Sequence, residues 1–273
     1  MAIIAISRQV AALGDEISGA LVDKLGYTFF DRHMIERKII DLGFPEEKLK
    51  KYDEKKPGFF ASLAKDRDEY FDYLQLAILE AANQGNCILI GRGAYLILEN
   101  IPNVVSVRFV AAKELRKKRL MAEFGWDEKQ AMQRIEESEN NRAGFHKSFF
   151  NVDQSNESRF HMVLNTGIID IDNASSIIAD LCKTLVTPEQ EKRGRKIIGE
   201  MLEAQRLVNK LIFEYKLNIN FLHAVIEDDK VILQGVADSV ALSEQAVTIA
   251  SELLPTKKVS SAISVVQDFK AYP

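Results

Sequence analysis

The sequence predicts an α/β protein in which a parallel sheet flanked by helices is followed by a small α+β domain. Short apolar runs alternate with amphipathic segments through the first two-thirds of the chain, the pattern of a parallel sheet covered on both faces. The pattern changes after a charged stretch containing Pro188 and Gly194. The first apolar run also leads through small residues into a helix, the outline of a phosphate-binding loop.

In chain order, AIIAI reads as a buried strand and GDEISGALVDKLGY as the helix after it. TFF and DRHMIERKIIDLG repeat that pairing. The aromatic-rich stretch from Lys55 to Ala82 ends in a long amphipathic helix, and its Phe and Tyr residues suit packing better than base stacking. CILIG is a strand, VVSVRFV is a strand leading into AAKELRKKRLMAEF, and HMVLNT is a strand leading into NASSIIADLCKTLV. Ligands bind such sheets at the carboxyl ends of the strands, so the loops after AIIAI, CILI and VVSVRFV are expected on one rim. The stretch TPEQEKRGR offers little to bury and reads as a boundary, which gives domains over 1–187 and 194–273. In the second domain a helix from about Lys196 to Lys216 precedes a hairpin centred on Asp228 and Asp229. The helix SVALSEQAVTIASELL and the strand VSSAISVVQDF complete it. This part has no glycine-rich loop, histidine pair or carboxylate cluster, which suits a binding or assembly module.

With 273 residues, 47% of them hydrophobic, the chain can bury a substantial core. A net charge of −4 provides no global basic field, so no nucleic-acid partner is expected. The N-terminal apolar run is too short for a secretory signal and no window approaches a membrane span, so a cytoplasmic location is expected. Cys87 and Cys182 sit inside apolar runs and read as buried thiols. His33, His146, His161 and His223 have no metal-ligand spacing and read as surface or satisfied core residues.

The loop segment ISRQVAALGDEIS departs from the standard phosphate-loop pattern. G-x-x-x-x-G-K-[ST] would require glycine at Gln9, lysine at Asp15 and a hydroxyl at Glu16, and only Gly14 fits. A branched Leu13 in a left-handed position would be strained. Opposite charges about 4 Å apart attract by roughly 4 kcal/mol at an effective dielectric near 20, so an acid where a base is usual is a large change. Two readings stay open. Asp15 and Glu16 either cap their own helix and close the anion site, or the loop still holds phosphate with Arg8 replacing the absent lysine. Arg92, between two glycines directly after a buried strand, suits phosphate binding because the glycines allow close approach and the guanidinium is a planar fork. Asp31 and Arg32 open a helix, either as an N-cap with a solvated arginine or as ligand contacts.

Residues 1–187 resemble the cytidylate kinase-like family of nucleoside-monophosphate kinases. The features shared are IAISRQ with its small-residue loop, LGYTFFDRHMIE, ILIGRGAYLIL, AAKELRKKRLM, RIEESENNRAGFHKSFF and FHMVLNTG. The resemblance implies a P-loop kinase-type sheet and a Mg2+- and ATP-dependent transfer to a nucleotide such as CMP. It implies that Arg8, Ala11, Ala12, Leu13, Gly14, Asp15 and Glu16 border the ATP phosphates, and that Asp31, Arg32 and Arg92 border the monophosphate. It also implies a lid carrying Arg116, Lys117, Lys118, Arg119, Arg134, Arg142, His146 and Lys147, with Arg119, Arg134 and Arg142 neutralising the transferred group. The magnesium would arrive with ATP, and Glu16 stands where a hydroxyl ligand is usual. In residues 194–273, DDKVILQGVADSVALSEQAVTIASEL followed by KKVSSAISVV resembles the turn, strand, glycine and helix of a BON domain, with Gly235 as the glycine, which implies a protein or lipid partner. The alternative to a kinase is an inactive nucleotide- or anion-binding regulatory protein that acts through this C-terminal module.

Overall fold

The computed structural model describes residues 2–49, 52 and 64–266, with residues 64–66 as backbone only. The chain divides into two compact units, residues 1–195 and 196–273.

The first unit begins with β1 (Ile3–Arg8), α1 (Gly14–Leu25), β2 (Thr28–Phe30), α2 (Arg32–Asp41), α3 (Glu46–Leu49) and α4 (Ala64–Asn83). It continues through β3 (Cys87–Ile90), α5 (Ala94–Ile97), β4 (Val104–Val110), α6 (Lys113–Phe124) and α7 (Glu128–Phe150). β5 (Met162–Asn165), α8 (Ile171–Leu185) and the start of α9 (Pro188–Asn209) complete it. The strands form a sheet in the order β2-β3-β1-β4-β5, and each neighbouring pair is parallel. A parallel sheet buried on both faces needs continuously apolar strands, and all of Cys87–Ile90 is buried, as are Ile3, Ile4, Ala5 and Ile6 of β1. Ile17 and Leu21 of α1 and Ala174, Ile178 and Cys182 of α8 recur at four-residue spacing and pack with the β1 and β4 side chains in one core. Both thiols are buried, and burial pushes each up to about 12.

Because β1 lies between β3 and β4, the loops after these strands share one rim, as the alternating pattern requires. The aromatic residues of α4 do pack. Tyr70 stacks on Tyr52 with ring centroids 4.4 Å apart, and Phe44 meets Tyr70 and Tyr73 edge-on. Residues 55–63 of that stretch lie outside the described residues.

The stretch expected as a boundary ends where the two units divide, but it is helical: α9 starts at Pro188 and not near Lys196. The side chain of Gln190 accepts from the Thr187 amide at 2.8 Å, and Thr187 Oγ1 accepts from the Gln190 amide at 3.3 Å. This is a capping box with proline at the first helical position, so the residues that suggest a break in fact start a helix.

In the second unit β6 (Asn220–Glu227) pairs antiparallel with β7 (Lys230–Ala237), α10 (Val240–Leu253) follows, and β8 (Lys258–Val265) returns parallel to β7. Leu207, Leu211, Leu222, Val231, Leu233, Ala246 and Ala250 form its core. Residues 267–269 of the expected last strand lie outside the described residues. No described helix is long and apolar enough to cross a membrane.

Candidate functional site

The loop from Gln9 to Leu13 leaves the centre of the rim. It is tied to β4, because the Gln9 amide donates to the Phe109 carbonyl at 3.1 Å and Gln9 Oε1 accepts from the Ala111 amide at 3.0 Å. Ala11 and Leu13 both have φ of 56°. Each costs about 1–2 kcal/mol relative to glycine's freedom there, so the strain expected at Leu13 is present and Ala11 shares it. Packing holds both in place, Leu13 against the central core and Ala11 against a cluster of Leu120, Ala131 and Ile135. The loop therefore keeps left-handed turns without the usual glycines. Ala11→Gly is expected to raise stability by about 1 kcal/mol, the relieved strain less the entropy glycine loses on folding. Urea unfolding followed through Trp126 measures this, and an unchanged midpoint would show that Ala11 is not strained.

Asp15 does not close the loop. Its side chain is 67% exposed and lies 3.6 Å from the Arg8 guanidinium. Among the described residues neither Asp15 nor Glu16 accepts a hydrogen bond from the first turn of α1, and the N-cap, Leu13, makes no side-chain cap bond. Gly14 is required by Arg8, since a Cβ at Gly14 would stand 2.7 Å from Arg8 Cδ. The arginine stem lies across the helix start.

Arg119, on α6, joins this loop to the end of β5. Its Nη1 donates to the Ala11 carbonyl at 3.0 Å and to Thr166 Oγ1 at 3.2 Å, and its Nη2 donates to the Thr166 carbonyl at 2.6 Å. All three acceptors are neutral, and among the described residues no carboxylate forms an ion pair with it. Partial burial pushes its pKa down, with the charge of Glu16 opposing that shift. Such an arginine is positioned without a direct carboxylate partner among the described residues. Arg142, on α7, donates from Nε to Ser138 Oγ at 3.2 Å and from Nη1 to the Arg8 carbonyl. Arg134, on the same helix, is exposed and the structure does not bring it to the others. Arg116 pairs with Glu139 at 2.7 Å and Lys117 with Glu114 at 2.7 Å and Glu128, so these lid cations are structural ties.

Arg8, Arg32, Arg92 and Arg142 line one cleft together with Phe145 and His146. Gly91, Arg92 and Gly93 have φ of 86°, 50° and 70°, a left-handed turn that follows from the flanking glycines. Arg92 is buried, donates from Nη1 to the Tyr52 carbonyl at 3.2 Å and from Nη2 to Glu36, and lies 5.8 Å over the Phe145 ring. Glu36 also accepts from Arg32 Nε at 2.7 Å. Sequence reasoning missed Glu36, although its spacing of four from Arg32 on a helix starting at the rim was a usable signal. Asp31 is the N-cap of α2 and accepts from the Met34 amide at 2.8 Å. His146, expected as a surface or satisfied core residue, is buried in the cleft wall. Its Nε2 has no hydrogen-bond partner among the described residues. Among those residues, no group of three or more His, Cys, Asp or Glu is placed to hold a metal.

A cytidylate kinase of Methanocaldococcus jannaschii is 28% identical over 128 residues, which cover 46% of this chain and 70% of that protein. The crystal structure of an uncharacterized protein from Eubacterium ventriosum superposes with a TM-score of 0.55 at 22% identity, over 67% of this chain and 98% of that one. This second likeness establishes the shared fold. The profile of the cytidylate kinase-like family matches residues 3–168, the region that contains both the loop and the arginine cleft. The chain belongs to the cytidylate kinase-like family.

Proposed function

We propose that this chain transfers a phosphoryl group from Mg-ATP to a nucleoside monophosphate of the CMP type. The observation that carries this reading is the convergence of Arg8, Arg32, Arg92 and Arg142, from separate elements, on one cleft at the carboxyl rim of the sheet. Family membership and the likeness to a cytidylate kinase support the choice of substrate. Arg32 and Arg92 hold the acceptor phosphate through planar, bidentate-capable guanidinium groups, and Asp31 fixes the helix that carries Arg32.

The retained left-handed curvature at Ala11 and Leu13, and Arg119 beside them with no direct ion pair among the described residues, fit an anionic triphosphate. Arg8 and residues Ala11 to Glu16 would hold it, with Glu16 as an oxygen donor near its metal. When bound, Mg-ATP supplies the phosphoryl group and part of the charge neutralisation. Arg119 and Arg142 orient the loop and neutralise developing charge, with Arg134 joining them on lid closure, so catalysis rests on positioning and electrostatics.

Phosphorus NMR of the protein with magnesium, ATP and CMP tests this. Growth of CDP and ADP signals is expected, with loss of both in Arg92→Ala. No product over hours at high protein concentration would overturn it.

One observation favours a second reading. An acidic Asp15 stands at the loop where a base is usual, which suits a nucleotide- or anion-binding regulatory protein without turnover. On that reading the second unit, read as BON-like from its turn, strand, glycine and helix around Gly235, reports to a protein or lipid partner. Shifted ATP resonances without product would favour it. A cytoplasmic location goes with either reading.

A further inference from the structure

We propose that His146 selects the acceptor by the hydrogen-bonding sense of its base. Its Nε2 accepts from the exocyclic amino group of the base, so cytosine is taken and its keto counterpart uracil is disfavoured. This rests on the nucleotide-kinase reading above and adds a specificity-determining residue to it.

His146 is only 7% exposed and lies one helical turn beyond Arg142 on α7. Its Nδ1 is 2.7 Å from the Arg142 carbonyl. A carbonyl can only accept, so Nδ1 carries the hydrogen and the tautomer is fixed. Burial pushes the ring pKa down, the Nδ1 hydrogen bond to the Arg142 carbonyl opposes it and the charges of Arg142 and Arg108 add to it, a net shift that favours the neutral ring. Nε2 is therefore a bare lone pair. It is buried and has no partner among the described residues, a state that a site tolerates when a ligand supplies the missing donor.

The setting matches a nucleotide with such a donor. The same cleft presents Arg8, Arg92 and Arg142, which suit a phosphate. The His146 ring lies 5.7 Å from both the Tyr95 and Phe145 rings, which gives a planar base an aromatic wall. Tyr95 Oη is buried and also has no partner among the described residues, and burial raises its pKa to about 12, so it keeps its proton. A phenol both donates and accepts, and does not tell an amine from a carbonyl. The neutral imidazole does: a keto oxygen would set lone pair against lone pair.

Isothermal titration of the full chain with CMP, UMP, dCMP and N4,N4-dimethyl-CMP tests this. CMP is expected to bind about tenfold to a hundredfold more tightly than UMP, the range for an acceptor left without its donor. dCMP should behave as CMP. The dimethyl analogue, which keeps the ring but has no amino hydrogen, should fall to the level of UMP, and this arm needs no variant. His146→Phe should equalise CMP and UMP, whereas His146→Gln, whose amide oxygen reaches the same place, should retain part of the preference. Equal native affinities for CMP and UMP, an unaffected dimethyl analogue, or a preference that follows the 2′-hydroxyl would each overturn the inference while leaving the nucleotide site standing. No binding of any of these at millimolar concentration would overturn the nucleotide reading itself, and the inference with it.

Discussion

Arg119→Ala is expected to lower turnover at least ~1,000-fold, the scale on which phosphoryl-transfer sites lose activity when a charge-neutralising arginine is removed. Arg119 combines two roles. It carries charge that forms no ion pair with a described carboxylate, and it fastens the Ala11 carbonyl to Thr166 through three hydrogen bonds. Alanine removes both. Arg119→Lys separates them, because an ammonium keeps the charge but cannot span the same acceptors as a planar fork, so only a small part of the rate should return. Single-turnover quench-flow with saturating Mg-ATP and CMP reads the chemical step directly. A loss of less than tenfold in Arg119→Ala would assign the residue to loop anchoring alone.

Gly93→Ala is expected to destabilise the first unit by about 3 kcal/mol. The site has φ of 70°, which costs a side chain roughly 1–2 kcal/mol. A Cβ there would also stand 2.4 Å from Cζ of Phe150 and 2.5 Å from its Cε2, and overpacking of that kind costs about 1–3 kcal/mol. Phe150 ends α7, and Gly93 follows Arg92 directly. The substitution therefore strains the junction between α7 and the Gly91–Gly93 turn, and activity should fall with stability. The single tryptophan, Trp126, reports unfolding of this unit in urea. Gly19→Ala on α1, where an added Cβ meets nothing within 4 Å, is the control and should leave the midpoint unchanged or raised.

The parallel sheet was legible because its inner strands β3, β1 and β4 are buried on both faces and so are written as short apolar runs that no surface element shares. The strand limits came close, with TFF matching Thr28–Phe30 and VVSVRFV matching Val104–Val110. The start of α9 was not read, because Pro188 and Gly194 weigh as breakers unless the reciprocal Thr187–Gln190 cap is noticed. In the site, Arg92 was legible from its two glycines. Glu36 was not, and His146 only as a member of the implied lid, since their significance lies in what faces them across the fold: Arg92 reaches Glu36 from the turn after β3, and the His146 ring meets Tyr95 of α5. The pairing of Asp15 with Arg8 likewise depends on the arginine stem folding back over Gly14.

The sharing of Glu36 between Arg32 and Arg92 bears on how this cleft meets an anion. Two arginines already bound to one carboxylate are not open charges waiting for a counterion. A phosphate arriving there takes part in an exchange, in which Glu36 gives up one or both guanidinium groups as the ligand takes them. The net gain is the difference between two anions at the same partners, so the cleft answers to the shape and valence of its ligand more than to charge alone. Added salt, which weakens both pairings together, should alter such a balance far less than it weakens capture by a bare basic patch.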